Sequence, residues 1–365
     1  MSSTSFINYV KAGYPVLWVK SYEEFRVLSE YVYQLSQINV KEGDTPYKTF
    51  TWDLADGIHP VHMEDKAIIT EPTEVLNSDS SEVKAKKTAM SQTKEDAMAP
   101  LEWLDSQTIV NEKGETVPEE NIVLFLKDYH PFLKPEYKDS VLINRKIRNL
   151  IGKFKSLGKV LIILSPEVKI PTELDKEISV IDYKLPTREE LKLVLKEVCE
   201  TFGIKYPTDS EEVLNAALGM TSFEAENAFC VSLVEKRTFD SLLIRREKSS
   251  IVKKTGLLEV VESDYTMNDI GGLENLKGWL DARKNNFLDK AVQFGLKSPK
   301  GLLMVGVPGS GKSLSAKAVA SSWKRPLLRL DMGNVFGSYV GESEGNMNRV
   351  LDIAEAVSPC ILWIK

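Results

Sequence analysis

The sequence predicts an α/β protein built of parallel sheets with helices on both faces, plus a small helical lid after the first sheet. Three observations carry that expectation. Short apolar runs at residues 14–19, 47–53, 122–127, 160–164 and 180–185 have the length of buried strands, with helical spacing between them. Parallel neighbours need a crossover, so strands that alternate with helices fit a parallel sheet. Residues 187–236 then show helical stripes with no strand between them, and residues 301–322 read as an apolar run, a glycine-rich turn and an Ala-rich helix.

In chain order, Tyr-Pro-Val-Leu-Trp-Val at residues 14–19 reads as a strand. It feeds a helix marked by Phe25, Leu28, Val32 and Leu35 at spacings of three and four. Residues 71–99 are rich in Ser, Thr, Lys, Glu and Asp with few large apolar side chains, so a flexible insertion is expected there. Residues 141–154 are helical in pattern. Thr187 and Glu190 form a capping box ahead of the stripe Leu191, Val194, Leu195, Val198 and Phe202, and a second helical block covers residues 210–236. The basic stretch Arg245, Arg246, Lys248, Lys253 and Lys254 reads as a linker or exposed helix end, a solvated face rather than a nucleic-acid site. The expected division is a first α/β domain at residues 1–186, a lid at 187–244, a linker at 245–260 and a second α/β module at 261–365.

Composition narrows the function classes. At about 150 residues per domain, 365 residues make two or three domains. With 42% hydrophobic and 27% charged residues the chain can bury a sizeable core, which excludes collagen-like and wholly disordered readings. Forty-seven basic against 53 acidic residues give a net charge of −6, with no global pull towards nucleic acid or anionic membranes. Three cysteines without a C-x-x-C pair suit a reducing compartment, and no apolar run approaches the ~20 residues of a membrane span.

The strongest chemical signal is Gly306-Val307-Pro308-Gly309-Ser310-Gly311-Lys312-Ser313, which fits G-x-x-x-x-G-K-[ST]. Residues 301–305 read as a buried strand before it and 314–322 as a helix after it. Backbone N–H groups and a helix N-terminus can therefore face phosphates. Lys312 would place its ammonium on the β- and γ-phosphates and Ser313 its hydroxyl on Mg²⁺. Such a loop alone does not choose among kinases, GTPases, helicases and remodelling ATPases.

The flanking segments do choose. Asn268-Asp269-Ile270-Gly271-Gly272-Leu273, and then Ser298-Pro299-Lys300-Gly301, resemble the adenine-side segment of the AAA family of ATPases. Ser338-Tyr339-Val340-Gly341-Glu342-Ser343-Glu344 resembles that family's first pore loop. The resemblance implies an ATP site formed by Ile270, Gly271, Gly272, Pro308, Gly309, Ser310, Gly311, Lys312, Ser313 and Leu314, with Mg²⁺ held through Ser313. It also implies a homo-oligomeric ring in which Tyr339, Val340 and Gly341 grip a protein substrate, while Glu342 and Glu344 are solvated or intersubunit charges. The apolar run Ile361-Leu362-Trp363-Ile364 is followed by Lys365, whereas the family continues into an Asp-Glu pair. Lys365 is thus expected to stand where the acid begins, in a module truncated at that strand, and no catalytic residue can be assigned.

The first half resembles a second, degenerate copy. Lys20-Ser21-Tyr22-Glu23-Glu24 lacks glycine and sets two carboxylates at a helix start, which repels phosphate. Lys127-Asp128-Tyr129 keeps one acid and follows it with an aromatic. A first half without a P-loop and a second half with one resemble the Ycf46-type AAA proteins of cyanobacteria and plastids, with related forms in phages. That implies a soluble compartment: plastid stroma, bacterial cytoplasm or phage-infected host cytoplasm.

The other candidates are weak. His59, His62, Glu64 and Asp65 could be drawn as metal ligands, but a polar loop after a strand explains them. His130 has no nucleophile partner in the sequence. Three functions compete: an ATP-driven protein remodeller, a regulatory subunit that holds ATP without turnover, and a small-molecule kinase that would leave residues 269–273 and 339–344 unexplained.

Overall fold

The structure, a computed structural model, describes residues 4–38, 47–64, 67–76, 78–111, 113–254, 257–261, 265–283, 294–295, 301–323, 325–335, 346–347, 350–351, 353–355, 357 and 360–365. The chain divides into two units, Met1–Lys184 and Leu185–Lys365.

The first unit runs α1 (Thr4–Lys11), β1 (Val16–Lys20), α2 (Glu24–Ser36), β2 (Lys48–Asp53), β3 (Gly57–Glu64), β4 (Ala67–Thr70), α3 (Ser81–Ser91) and α4 (Ala99–Ser106). It continues through β5 (Thr108–Val110), β6 (Thr116–Pro118), β7 (Ile122–Lys127), α5 (Ser140–Leu157), β8 (Val160–Ser165) and β9 (Ser179–Asp182). The main sheet has the order β4-β3-β2-β7-β8-β1-β9. From β2 to β9 every pairing is parallel, and β3 and β4 extend the sheet antiparallel.

Alternation along the strands feeds two cores, one on each face of the sheet. Trp18, Trp52, Leu124, Leu126 and Ile163 pack with Leu101 and Leu104 of α4 and Ile143, Ile147 and Phe154 of α5. Leu17, Val19, Val123, Phe125 and Ile162 pack with Phe6 and Val10 of α1 and Val27, Tyr31 and Leu35 of α2. The sheet is therefore covered by helices on both faces, the α/β arrangement predicted from sequence. Trp52 is fully buried, and its indole N–H donates to the Thr93 carbonyl at 2.9 Å. Trp52→Ala should cost about 3–5 kcal/mol, seen as a fall in the urea midpoint of the unfolding transition that carries the first unit.

Two expectations for this unit are corrected. Residues 71–99, expected as a flexible insertion, contain α3, whose N-cap Ser80 Oγ accepts from the Val83 N–H. None of the residues of α3 is buried, which explains the polar composition. The segment is held at its ends: Asp79 pairs with Lys87 at 3.0 Å, and Thr93 Oγ1 accepts from the Ile58 N–H at 2.9 Å. The composition is that of a solvent-facing helix, for which Ala, Lys and Glu have good propensity. His59 and His62 lie on strand β3 rather than in a loop. The His59 ring bonds the Glu71 and Asp56 carbonyls, and His62 Nδ1 is 3.3 Å from Glu71 Oε1. Asp65 lies outside the described residues.

The second unit opens with α6 (Arg188–Phe202), α7 (Ser210–Ala217), α8 (Ser222–Lys236) and α9 (Ser241–Lys254). Leu191, Leu195, Val213, Leu214, Phe229 and Ile244 form their shared core. Capping boxes Thr187/Glu190 and Thr221/Glu224 start α6 and α8. The linker expected at 245–260 is corrected: α9 runs through most of it and β10 (Leu258–Val261) follows. Arg245 and Arg246 are exposed, as expected, whereas Lys248 is buried and its ammonium donates to the Leu218 carbonyl. Burial lowers its pKa to about 8.

After β10 come α10 (Glu274–Asp281), α11 (Lys312–Trp323), β11 (Leu327–Leu330), α12 (Met332–Val335) and β12 (Ile361–Ile364). Their sheet is β10-β11-β12, with β10 antiparallel and β12 parallel to β11. Residues 301–305, expected as a buried strand, form none, and Leu303 and Val305 are 87% and 88% exposed. The physical reason is the lack of a ladder. A strand needs neighbours for its N–H and C=O groups, and no described strand pairs with this run. Among the described residues, no helix is long and apolar enough to cross a membrane.

Candidate functional site

The glycine-rich turn leads directly into α11, whose first residue is Lys312. Gly309 and Gly311 take φ of +83° and +85°, the left-handed region where a side chain is strained. At Gly306 a Cβ would lie 2.8 Å from Ser310 Oγ, so a side chain there would displace that hydroxyl. The Lys312 ammonium donates to the Gly306 carbonyl at 2.7 Å, the Val307 carbonyl at 2.8 Å and Ser310 Oγ at 3.3 Å. The Ser315 N–H and hydroxyl both close on the Gly311 carbonyl, at 2.8 and 3.0 Å, fixing the first turn of α11. Exposed Ser313 and half-buried Leu314 follow Lys312 in that turn. This arrangement fits a polyphosphate: a backbone turn whose left-handed glycines other residues adopt only with strain, a helix N-terminus and one lysine ammonium.

The 266–273 segment packs against the same helix. The 3-10 turn Met267–Asp269 contacts α11. Asp269 Oδ2 accepts from the Thr266 N–H at 2.6 Å and the Thr266 hydroxyl at 2.8 Å, which hold its carboxyl below the usual range. Ile270 is buried and its carbonyl accepts from the Lys277 ammonium at 2.6 Å. Gly272 and Leu273 both take positive φ, turning the chain into α10. The structure thus brings the 266–273 segment to the helix that carries Lys312 and Ser313. Tyr339, Val340 and Gly341 lie outside the described residues.

Strand register places Lys365 beside Asp331. In the second unit Leu330 pairs with Ile364, so Asp331 and Lys365 end adjacent strands. In the first unit Trp52 pairs with Leu126, which sets Asp53 beside Lys127 in the same way. By register, Lys365 sits beside Asp331 as Lys127 sits beside Asp53. Both strand pairs end on an Asp beside a Lys.

In the first unit, the C-terminal ends of β2 and β7 and the start of α2 frame a cavity of about 430 Å³ lined by Glu24, Asp53, Lys127, Asp128 and Phe132, among others. Lys127 Nζ lies 3.9 Å from Glu24 Oε2 and 3.7 Å from Asp53 Oδ2. Burial raises the Glu24 pKa, opposed by Lys127 and reinforced by Asp128 and Asp53. Three carboxylates around one ammonium repel phosphate. Glu23, at the N-cap, is buried against Arg26 at 2.5 Å. The sequence singled out Glu23, Glu24 and Asp128 but not Asp53, whose only signal is its place at the end of a strand neighbouring β7.

Comparison with known proteins follows the same division. Residues 2–183 match the family described as "SpoVK-like AAA ATPase, N-terminal domain", and residues 302–365 match "ATPase family associated with various cellular activities (AAA)". The chain is similar to an "Uncharacterized AAA domain-containing protein ycf46" of Guillardia theta, at 31% identity over 97% of this chain and 62% of that protein. The Pyropia yezoensis protein of the same description is 33% identical over 97% of this chain and 64% of its own length. A proteasome-activating nucleotidase of Methanothermobacter thermautotrophicus is 28% identical over 60% of this chain and 54% of its own. The chain spans a little under two thirds of the length of these Ycf46 relatives. From the two family matches and the near full-length similarity, the chain belongs to the AAA family of ATPases and is of the Ycf46 type.

Proposed function

We propose that the second unit binds Mg-ATP at residues 306–313, and that hydrolysis there drives remodelling of a protein substrate within a homo-oligomeric ring. The observation that carries the reading is the Gly306 cradle opening onto α11, with the Lys312 ammonium at its mouth. Lys312 would exchange its carbonyl partners for phosphate oxygens, and the 266–273 segment would border the base. Bound Mg²⁺ would neutralise charge on the phosphates. Ser313, one residue into the helix, is the hydroxyl placed to hold it. Tyr339, Val340 and Gly341 are the residues proposed to grip the polypeptide.

The second reading is an ATP-binding regulatory subunit without turnover. It is favoured by Lys365, a lysine rather than a carboxylate, beside Asp331 where β12 ends. Both readings need Ser313. Titration of a fluorescent ATP analogue should show tighter binding with Mg²⁺ than with EDTA. Ser313→Ala should remove that gain while changing Mg²⁺-free binding by less than about threefold, the scale of one weak hydrogen bond. Binding with no Mg²⁺ dependence in the unsubstituted chain would contradict the assignment.

A further inference from the structure

After Lys312, α11 reads Ser-Leu-Ser-Ala-Lys-Ala-Val-Ala-Ser-Ser-Trp, so Lys317 is the one charged residue of the helix beyond its first position. Lys317 lies about 7.5 Å along the axis and about 140° around it from Lys312, on a different side of the helix. Its ammonium meets an aromatic ring. Lys317 Nζ stands 5.6 Å from the centroid of the Tyr265 ring, within the range of a cation–π contact.

Tyr265 is the residue just before the 266–273 segment. Thr266 and Asp269 cap one another, and the Asp269 N–H also donates to the Thr266 carbonyl at 3.1 Å, so the turn that follows Tyr265 is closed on itself. Further along, the Lys277 ammonium on the Ile270 carbonyl ties the segment to α10. The end of α10 is fastened to the end of α11, where the Trp323 indole N–H donates to the Leu280 carbonyl at 3.3 Å. The stretch 265–280 is thus held to α11 at Lys317 and at Trp323, with the Met267–Asp269 turn touching the helix as well. The Lys317 attachment is the one next to Ile270 and Gly271.

We propose that Lys317 and Tyr265 are positioning residues of the nucleotide site, a role that rests on the ATP reading above. Their contact fixes the 266–273 segment against the helix that carries Lys312 and Ser313, and so sets how much a nucleoside adds to the affinity of its phosphates. The two halves of the site depend on it unequally. The cradle is closed by its own bonds, from Lys312 to the Gly306 and Val307 carbonyls and from Ser315 to the Gly311 carbonyl. The 266–273 segment is a separate stretch of chain, whose place relative to the cradle depends on what fastens it to α11. Tyr265 is 47% exposed and Lys317 half-buried, so the contact can be removed without opening the core.

The test is calorimetric titration of the full 365-residue chain with Mg-ATP and with inorganic tripolyphosphate, which reads the cradle without a nucleoside. Lys317→Met, which keeps an unbranched side chain and removes the charge, should weaken ATP about fivefold, the worth of a partly exposed cation–π contact. Tyr265→Ala should weaken it at least as much, while tripolyphosphate stays within about twofold in both variants. Lys317→Arg and Tyr265→Phe, which keep the cation and the ring, should hold ATP within about twofold of the unsubstituted chain. Combining Lys317→Met with Tyr265→Ala should cost no more than Tyr265→Ala alone, because both remove one contact. Equal weakening of ATP and tripolyphosphate would reduce the pair to a support of the fold and overturn the proposal. So would losses that multiply in the double variant, or a loss in Tyr265→Ala with none in Lys317→Met, which would put the ring on the base itself. An unsubstituted chain that binds neither ligand would fault the nucleotide reading, and the positioning role with it.

Discussion

Lys312→Ala should abolish ATP binding by the chain, a loss of at least about 100-fold, while Glu23→Ala and Glu24→Ala leave the affinity within about threefold. The lysine is the only cation among the described residues of the loop, and it sits at the N-terminus of α11 in hydrogen-bond range of the cradle carbonyls. Charge-assisted bonds to phosphate contribute about 1.5–3 kcal/mol each, so losing two of them accounts for the factor. The first unit has the opposite electrostatics, with Glu24, Asp53 and Asp128 around Lys127. Titration of a fluorescent ATP analogue against each variant measures the difference. Equal losses in Glu24→Ala and Lys312→Ala would mean that phosphate reaches the first unit.

The purified 365-residue chain should hydrolyse ATP barely above background even where it binds. Attack by water needs a carboxylate to orient it and a cation to take up charge, and each such group typically contributes about 10²-fold or more. β7 of the first unit is followed by Asp128, whereas β12 is followed by Lys365. One remaining carboxylate is Asp331, which follows β11 and whose Oδ1 accepts from the Gly333 N–H at 2.9 Å. Steady-state phosphate release reads the outcome. Turnover that is eliminated by both Lys312→Ala and Asp331→Asn would show that Asp331 orients the attacking water.

The parallel strands of the first unit were legible because burial on both faces makes them continuous apolar runs. The run at 122–127 coincides with β7, and that at 160–164 falls one residue short of β8. β3 and β4 were not: β3 interrupts its apolar residues with His59, Pro60, His62 and Glu64, and β4 is a four-residue, mostly exposed edge strand. At 71–99, composition reports how little surface α3 buries and says nothing of the contacts at Asp79 and Thr93 that fix its ends. The run at 301–305 shows the converse. An apolar pattern records the burial a segment requires, and only a partner strand supplies it. The phosphate loop is local backbone chemistry and is written in eight consecutive residues. The Glu24–Lys127–Asp53 cluster joins three segments, and Lys365 could be placed only by strand register.

The central claim is that one nucleotide binds per chain, in the second unit. Photoaffinity labelling with an azido-ATP analogue, followed by peptide mapping, tests it most directly. The account predicts labelled peptides only between residues 266 and 323, at one label per chain, and no label after Lys312→Ala. Label on residues 20–25, 53–55 or 127–132, or label that survives Lys312→Ala, would contradict it.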